Sequence, residues 1–208
     1  MALPQGIDFR ATVGFVTDVS PNDFAGLGTT YPHTSAQGNT VGWESATANL
    51  ESRDRTTGNI AQLAGINFQP NSGVLQPIFR INLPSAGSYI IRAAFGDASS
   101  SQTQYIEILD TASLITSLSA VATSGNSFAD ANGTVWAAAA WPSLNTTLTA
   151  TFATTICRIR IGNGGSGTNS STIAYFSITA AAVAGLTAVG SSGGFGGGIG
   201  TSAIGSGA

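Results

Sequence analysis

The stretch from Phe79 to Asp110 constrains the fold more than any other part of this chain. In Phe79-Arg-Ile-Asn-Leu83, Phe79, Ile81 and Leu83 share one face while Arg80 and Asn82 share the other, the period-2 alternation of a half-buried strand. Pro84-Ser-Ala-Gly87 interrupts it with turn residues. Tyr89, Ile91, Ala93 and Phe95 then alternate again, and after a polar loop Tyr105-Ile-Glu-Ile-Leu-Asp110 supplies a third run. Three such strands predict an antiparallel β-sandwich.

The rest of the chain agrees with that class. Residues 11–17, 41–43, 134–141, 147–153, 156–161 and 173–179 read as further strands. Leu148, Ala150 and Phe152 alternate with threonines, and Ala174, Phe176 and Ile178 form another inward set. In residues 60–68 the inward phase slips at Ala64-Gly65, which predicts a β-bulge. Residues 22–37 read as a long surface loop, Glu51-Ser-Arg-Asp-Arg55 as a solvated charged turn, and the alanine run 137–140 as a single helical turn. No amphipathic helix of useful length and no fixed-period repeat is present.

Charge narrows the function classes. Only 8% of the residues are charged, about a third of the roughly 25% usual for soluble domains. The net charge is −3 and lysine is absent, so there is no basic patch to recruit nucleic acid or anionic lipid. From Thr111 onward the only charges are Asp130, Arg158 and Arg160. Polarity comes instead from Ser, Thr, Asn and Gln, a composition common on extracellular and particle-coating proteins. The N-terminus has neither the charged nor the apolar region of a signal peptide, and no run reaches the roughly 18 apolar residues of a membrane span. Viral particles reconcile an exterior-type surface with synthesis in the cytoplasm; non-classical export or a removed signal would do the same.

Two units follow. Residues 1–181 form the sandwich with its N-terminal extension and long loops, and residues 182–208 form a Gly/Ser/Ala-rich tail. Ordering such a backbone is entropically costly, and alone in water it spans roughly 25–30 Å as a flexible chain. Leu186, Val189, Phe195, Ile199 and Ile204 recur through it, and spaced apolar anchors on glycine suit docking onto a neighbouring subunit.

Several motifs match in spacing and fail in context. Gly162-Asn-Gly-Gly-Ser-Gly167 has the G-x-G-x-x-G spacing of dinucleotide sites, but a strand follows it and no acid lies downstream, so it reads as a hairpin loop. Gly190-Ser-Ser-Gly-Gly194 matches a nucleophile elbow without a later Asp or His. His33 is the single histidine and Cys157 the single cysteine, which makes a zinc site or a nucleophile–base pair unexpected. Cys157 shares a face with Ile159 and Ile161 and reads as a buried, inert thiol. Asp130-Ala-Asn-Gly133 opens like a calcium loop but lacks the later bidentate glutamate, so a turn is expected there. Asp97 and Asp110 flank a strand, and a structural calcium ion between them is an open alternative to having no metal or cofactor. Asn132, Asn145 and Asn169 begin glycosylation sequons, which chance produces readily in this composition. Trp136, Trp141, Tyr105 and Asp97 are the candidate carbohydrate-binding residues, since an aromatic face packs on the C–H face of a pyranose.

The run Phe79-Arg-Ile-Asn-Leu-Pro-Ser-Ala-Gly-Ser-Tyr89, followed by Phe95-Gly-Asp97-Ala and Tyr105-Ile-Glu-Ile-Leu-Asp110, resembles galactose-binding-like β-sandwiches of the malectin and carbohydrate-binding-module type. The chain is also similar to bacteriophage virion proteins that use such sandwiches as decoration or fibre modules. The resemblance covers residues 60–179 and implies a jelly-roll sandwich; no catalytic constellation accompanies it in the sequence. The expected function is a non-catalytic virion surface protein, a capsid decoration or fibre/tail protein. It would contact sister subunits, other virion proteins and cell-surface glycans, with no nucleic-acid or membrane partner. The alternative is a free, extracellular carbohydrate-binding module that takes a neutral polysaccharide.

Overall fold

The computed structural model describes residues 5–9, 23–25, 29–35, 37–45, 50–52, 66–68, 76–140, 146–162 and 171–182. They build two stacked sheets with one core between them. The first sheet contains β1 (Gln5–Phe9), β2 (Asp23–Ala25), β5 (Leu50–Ser52), β6 (Ile66–Phe68), β8 (Gly87–Phe95), β11 (Ser127–Ala129), β12 (Val135–Ala137), β13 (Leu148–Phe152) and β15 (Ser171–Ala180). The second runs β10 (Ser113–Thr123), β9 (Gln102–Asp110), β14 (Ile156–Ile161), β7 (Ile78–Asn82), β4 (Thr40–Ser45) and β3 (His33–Thr34) in spatial order. Among the described strand pairs only β1–β2 is parallel.

The alternating residues of the central segment fill the core as expected. Phe79, Ile81, Leu83, Ile91, Phe95, Phe152 and Phe176 are all buried, together with Cys157, Ile159 and Ile161 of β14. Phe9, Trp43 and Phe79 meet edge to face, with ring centroids 4.9–6.0 Å apart, and join β1, β4 and β7 across the two sheets.

Connectivity departs from a simple reading of the turns. The Pro84–Gly87 turn does not close a hairpin: β7 belongs to the second sheet and β8 to the first, so the turn carries the chain across the core. Tyr89 pins this corner by donating its hydroxyl to the Ser85 carbonyl at 2.6 Å. β14 and β15 likewise belong to different sheets and do not pair, which corrects the hairpin expected between them; residues 163–170 lie outside the described residues. At the β13–β14 crossing, Oδ2 of Asp110 accepts the amides of Ala153 (2.6 Å) and Thr154 (3.2 Å), while Oδ1 takes the Thr154 hydroxyl.

In β15 the ladder shifts between Ile173 and Tyr175. Ile173, Phe176 and Ile178 therefore join the main core, whereas Ala174 and Tyr175 turn to the opposite face. The expected inward position of Ala174 is corrected by this bulge. On that outer face, Ala174 and Tyr175 pack with Ala94, Phe128 and Trp136 in a second, smaller core under the β11–β12 hairpin. A single 3-10 turn, Ala138–Ala140, follows β12 and accounts for the alanine run.

The strand expected at residues 11–17 and the bulge at Ala64-Gly65 lie outside the described residues, as do Arg53, Asp54 and Arg55. The segment read as a long loop includes β2 and β3, and Gln5–Phe9, not expected as a strand, pairs with β15. β10 was also not expected. Its ladder with β9 shifts twice, between Leu114 and Thr116 and between Leu118 and Val121, which erases the alternation that would have marked it.

Candidate binding groove

The outer face of the second sheet carries the residues that alternate away from the core: Arg80 and Asn82 on β7, Arg158 and Arg160 on β14, Tyr105 and Glu107 on β9. Near the start of β9 this face holds a depression of about 320 Å³. It is lined by Gln76, Tyr105, Glu107, Ser117, Ser119 and Arg160, which come from β10, β9, β14 and the approach to β7, four neighbours in the sheet. With strands about 4.8 Å apart, three steps make a groove about 14 Å long across the strands.

The floor is fixed by backbone and side-chain bonds. The Tyr105 amide donates to Oγ of Ser171 at 2.9 Å, and its carbonyl accepts the Gly162 amide at 2.7 Å. Beneath it, Gln104 is fully buried. Its Oε1 accepts the Thr172 amide of the other sheet at 3.0 Å, and its Nε2 donates to Oγ1 of Thr123 at 3.1 Å. The side-chain amide of Gln76 donates to the Gly162 carbonyl and closes one side. Glu107 and Arg160 stand directly opposite each other in the β9–β14 ladder and form an ion pair.

Beyond the groove a second polar network crosses the same face. Glu44 lies 3.1 Å from Nη1 of Arg80 and 2.7 Å from Nε of Arg158, and it accepts Nη2 of Arg158 at 2.9 Å. Arg158 also donates to the Thr111 carbonyl at 2.8 Å. Arg80 sits 4.4 Å above the Tyr31 ring and donates to Asn82, whose amide reaches the Tyr31 hydroxyl at 3.2 Å. These partly exposed pairs add little stability singly, but together they immobilise the side chains of the face.

Among the described candidate sugar-binding residues, Tyr105 alone lies in this groove. Trp136 is 8% exposed on the outer face of the other sheet, with its ring stacked on Phe128 at 5.3 Å. Asp97 is buried, and its Oδ1 accepts the amide (2.8 Å) and hydroxyl (3.2 Å) of Ser99, which makes it a turn-forming residue. For both, burial against protein corrects the expectation of a ligand-facing side chain. Trp141 lies outside the described residues, and so do Leu186, Val189, Phe195, Ile199 and Ile204.

The remaining polar candidates are structural. Oδ1 of Asp130 accepts the amides of Asn132 (2.8 Å) and Thr134 (3.0 Å), the expected turn. Asp97 lies in the turn after β8, where it binds Ser99, and Asp110 ends β9, where it binds Ala153 and Thr154. Among the described residues no group of three or more His, Cys, Asp or Glu side chains is placed to hold a metal ion. His33 is exposed on β3. Burial, reinforced by the Asp110 carboxylate, pushes the Cys157 thiol far above its usual range.

Sequence reasoning singled out neither Glu107 nor Arg160. A signal was present: Glu107 is two residues from Tyr105 on the same strand face, and Arg160 lies on the polar face of its own strand. What brings them together is the β9–β14 register.

No protein-family model matches the sequence, and no curated protein matches it. Among solved structures, the chain superposes on protein YxiM of Bacillus subtilis with a TM-score of 0.51 at 11% identity, over 86% of this chain. The chain spans 40% of the length of that protein. The likeness is one of fold. Looser likenesses are to two carbohydrate-binding-module sandwiches. One is the CBM36-1 domain of a multidomain xylanase from the hindgut metagenome of Trinervitermes trinervoides (TM-score 0.36, 14% identity, 70% of this chain and 99% of that one). The other is the CBM35 of Paenibacillus barcinonensis (TM-score 0.33, 12% identity, 67% and 98%).

Proposed function

We propose that the chain is a non-catalytic glycan-binding β-sandwich that takes a neutral polysaccharide in the groove at Tyr105. The groove itself, rather than likeness to other proteins, carries this reading. Its volume falls in the roughly 300–1,000 Å³ range of small-ligand sites, and it combines an aromatic ring with hydroxyl and amide groups and one compensated ion pair. An aromatic ring can hold the C–H face of a pyranose, while carboxylate and guanidinium groups meet its hydroxyls. A ligand with a strong charge of either sign would have to compete with the Glu107–Arg160 pair. Hydrolysis of a glycosidic bond ordinarily uses two carboxylates flanking that bond, and Glu107 is the one carboxylate among the described residues of the groove.

The test is affinity electrophoresis of the full chain through gels containing soluble neutral polysaccharides. At least one should retard the protein, and Tyr105→Ala should weaken that binding about tenfold or more with an unchanged circular dichroism spectrum. Equal retardation of the Tyr105→Ala variant would sink the proposal.

A second reading, a virion surface protein, rests on the charge-free tail with its spaced Leu186, Val189, Phe195, Ile199 and Ile204. Several such side chains, each contributing about 1.5–3 kcal/mol when buried, would offset much of the cost of ordering the tail against sister subunits. On this reading a chain truncated at Ala182 stays folded and no longer assembles. Unchanged sedimentation of full-length and truncated chains as monomers removes it.

A further inference from the structure

We infer that the groove recognises two adjacent free hydroxyls of a sugar ring, so that it selects glycans by linkage; this rests on the glycan-binding reading above. The observation is how the Glu107–Arg160 pair is made. Nε and Nη2 of Arg160 both converge on one oxygen, Oε2 of Glu107. Oε1 of Glu107 and Nη1 of Arg160 are not consumed by the pair. The two side chains keep 30% and 35% of their surface exposed, so both atoms belong to solvent-reachable groups in the groove. The groove therefore holds an anionic acceptor and a cationic donor in one fixed unit. Tyr105 lies on the same strand face, about 6.7 Å along β9 from Glu107.

A sugar hydroxyl has one proton to give and lone pairs to accept with. One isolated hydroxyl can serve either Oε1 or Nη1. Two adjacent hydroxyls can serve both at once, the first donating to Glu107 and the second accepting from Arg160. Both bonds are charge-assisted, the stronger kind, and a ligand that desolvates these groups without replacing their water loses affinity. Linkage decides which glycans qualify. In 1,4- and 1,6-linked glucans each ring keeps a free 2,3-diol, whereas linkage through O3 leaves the internal rings of a 1,3-glucan without adjacent hydroxyls.

The experiment compares retardation of the full chain by dextran (1,6-linked), a soluble 1,4-glucan and a soluble 1,3-glucan. It adds dextran oxidised with periodate, which cleaves vicinal diols. Diol-bearing glucans should bind about 10- to 100-fold more tightly than the 1,3-glucan, and periodate should abolish binding to dextran. Glu107→Gln and Arg160→Gln should each reduce dextran affinity about tenfold and flatten the discrimination, while residual binding still depends on Tyr105. Tyr105-dependent binding that is blind to linkage, or discrimination that survives both substitutions, overturns the inference and leaves the glycan reading standing. If no neutral polysaccharide binds at all, both fall.

Discussion

Arg80 and Arg158 stand directly opposite each other in the β7–β14 ladder, two like charges in register, and the single carboxylate of Glu44 lies against both. Like charges facing across a ladder destabilise it, so Glu44 holds together an arrangement that the two arginines alone would oppose. All three side chains are 16–24% exposed, which limits screening by water.

Glu44→Gln should therefore cost about 1–2 kcal/mol in urea denaturation at low ionic strength. The deficit should shrink near 1 M salt, where the screening length falls to about 3 Å. A variant as stable as the parent at low salt would show that the arginines need no bridge.

Gly42 makes a second prediction. Its φ is +141°, and a Cβ placed there would lie 2.6 Å from the Tyr31 nitrogen and 2.7 Å from the Thr30 carbonyl carbon. These contacts are with backbone and cannot be relieved by a rotamer change. Gly42→Ala should cost about 2–3 kcal/mol and loosen the segment that carries Tyr31. Gly38→Ala is the control: its φ is also positive, +77°, but a Cβ there meets nothing within 4 Å, so its cost should be smaller.

The Cys157 thiol is protonated in the fold to well above its usual range. In the unfolded chain it ionises near pH ~8.5, and there the unfolded state begins to lose a proton that the native state keeps. This contribution to stability is whole below that pH and declines as pH rises above it, by about 1.4 kcal/mol per pH unit. Comparing urea midpoints of wild type and Cys157→Val at pH 7 and pH 10 isolates the effect; the wild type should lose more. A native thiol that reacts with a maleimide at pH 8 as fast as free cysteine would contradict its burial.

Where strands keep strict alternation, their faces were legible from sequence: Phe79 and Ile81 on β7, Tyr89 and Ile91 on β8, Cys157 and Ile159 on β14. Where a bulge shifts the phase, the reading failed, as at Ala174 and throughout β10. Alternation also says nothing about partner choice. Pro84–Gly87 looks the same whether it closes a hairpin or turns a corner between sheets, so the groove, built from three neighbouring strands and the approach to a fourth, was visible only as Tyr105. Trp136 misled for a related reason. Its position near a strand end was evident, but the Phe128 face that covers it arrives through the β11–β12 pairing.

Because β7, β8 and β9 lie in alternate sheets, none of them completes its ladders with its neighbours in sequence. β7 and β9 both need β14, and β8 needs β15. During synthesis the chain up to β13 thus leaves the ribosome with sheet edges on β7, β8 and β9 that residues 156–180 later cover. Such edges are templates for association with other nascent chains, and closing distant pairs is slow, on the order of milliseconds to seconds for all-β topologies. The yield of soluble protein should therefore depend on how quickly the last strands follow the first, and slowing translation just upstream of β14 should lower it.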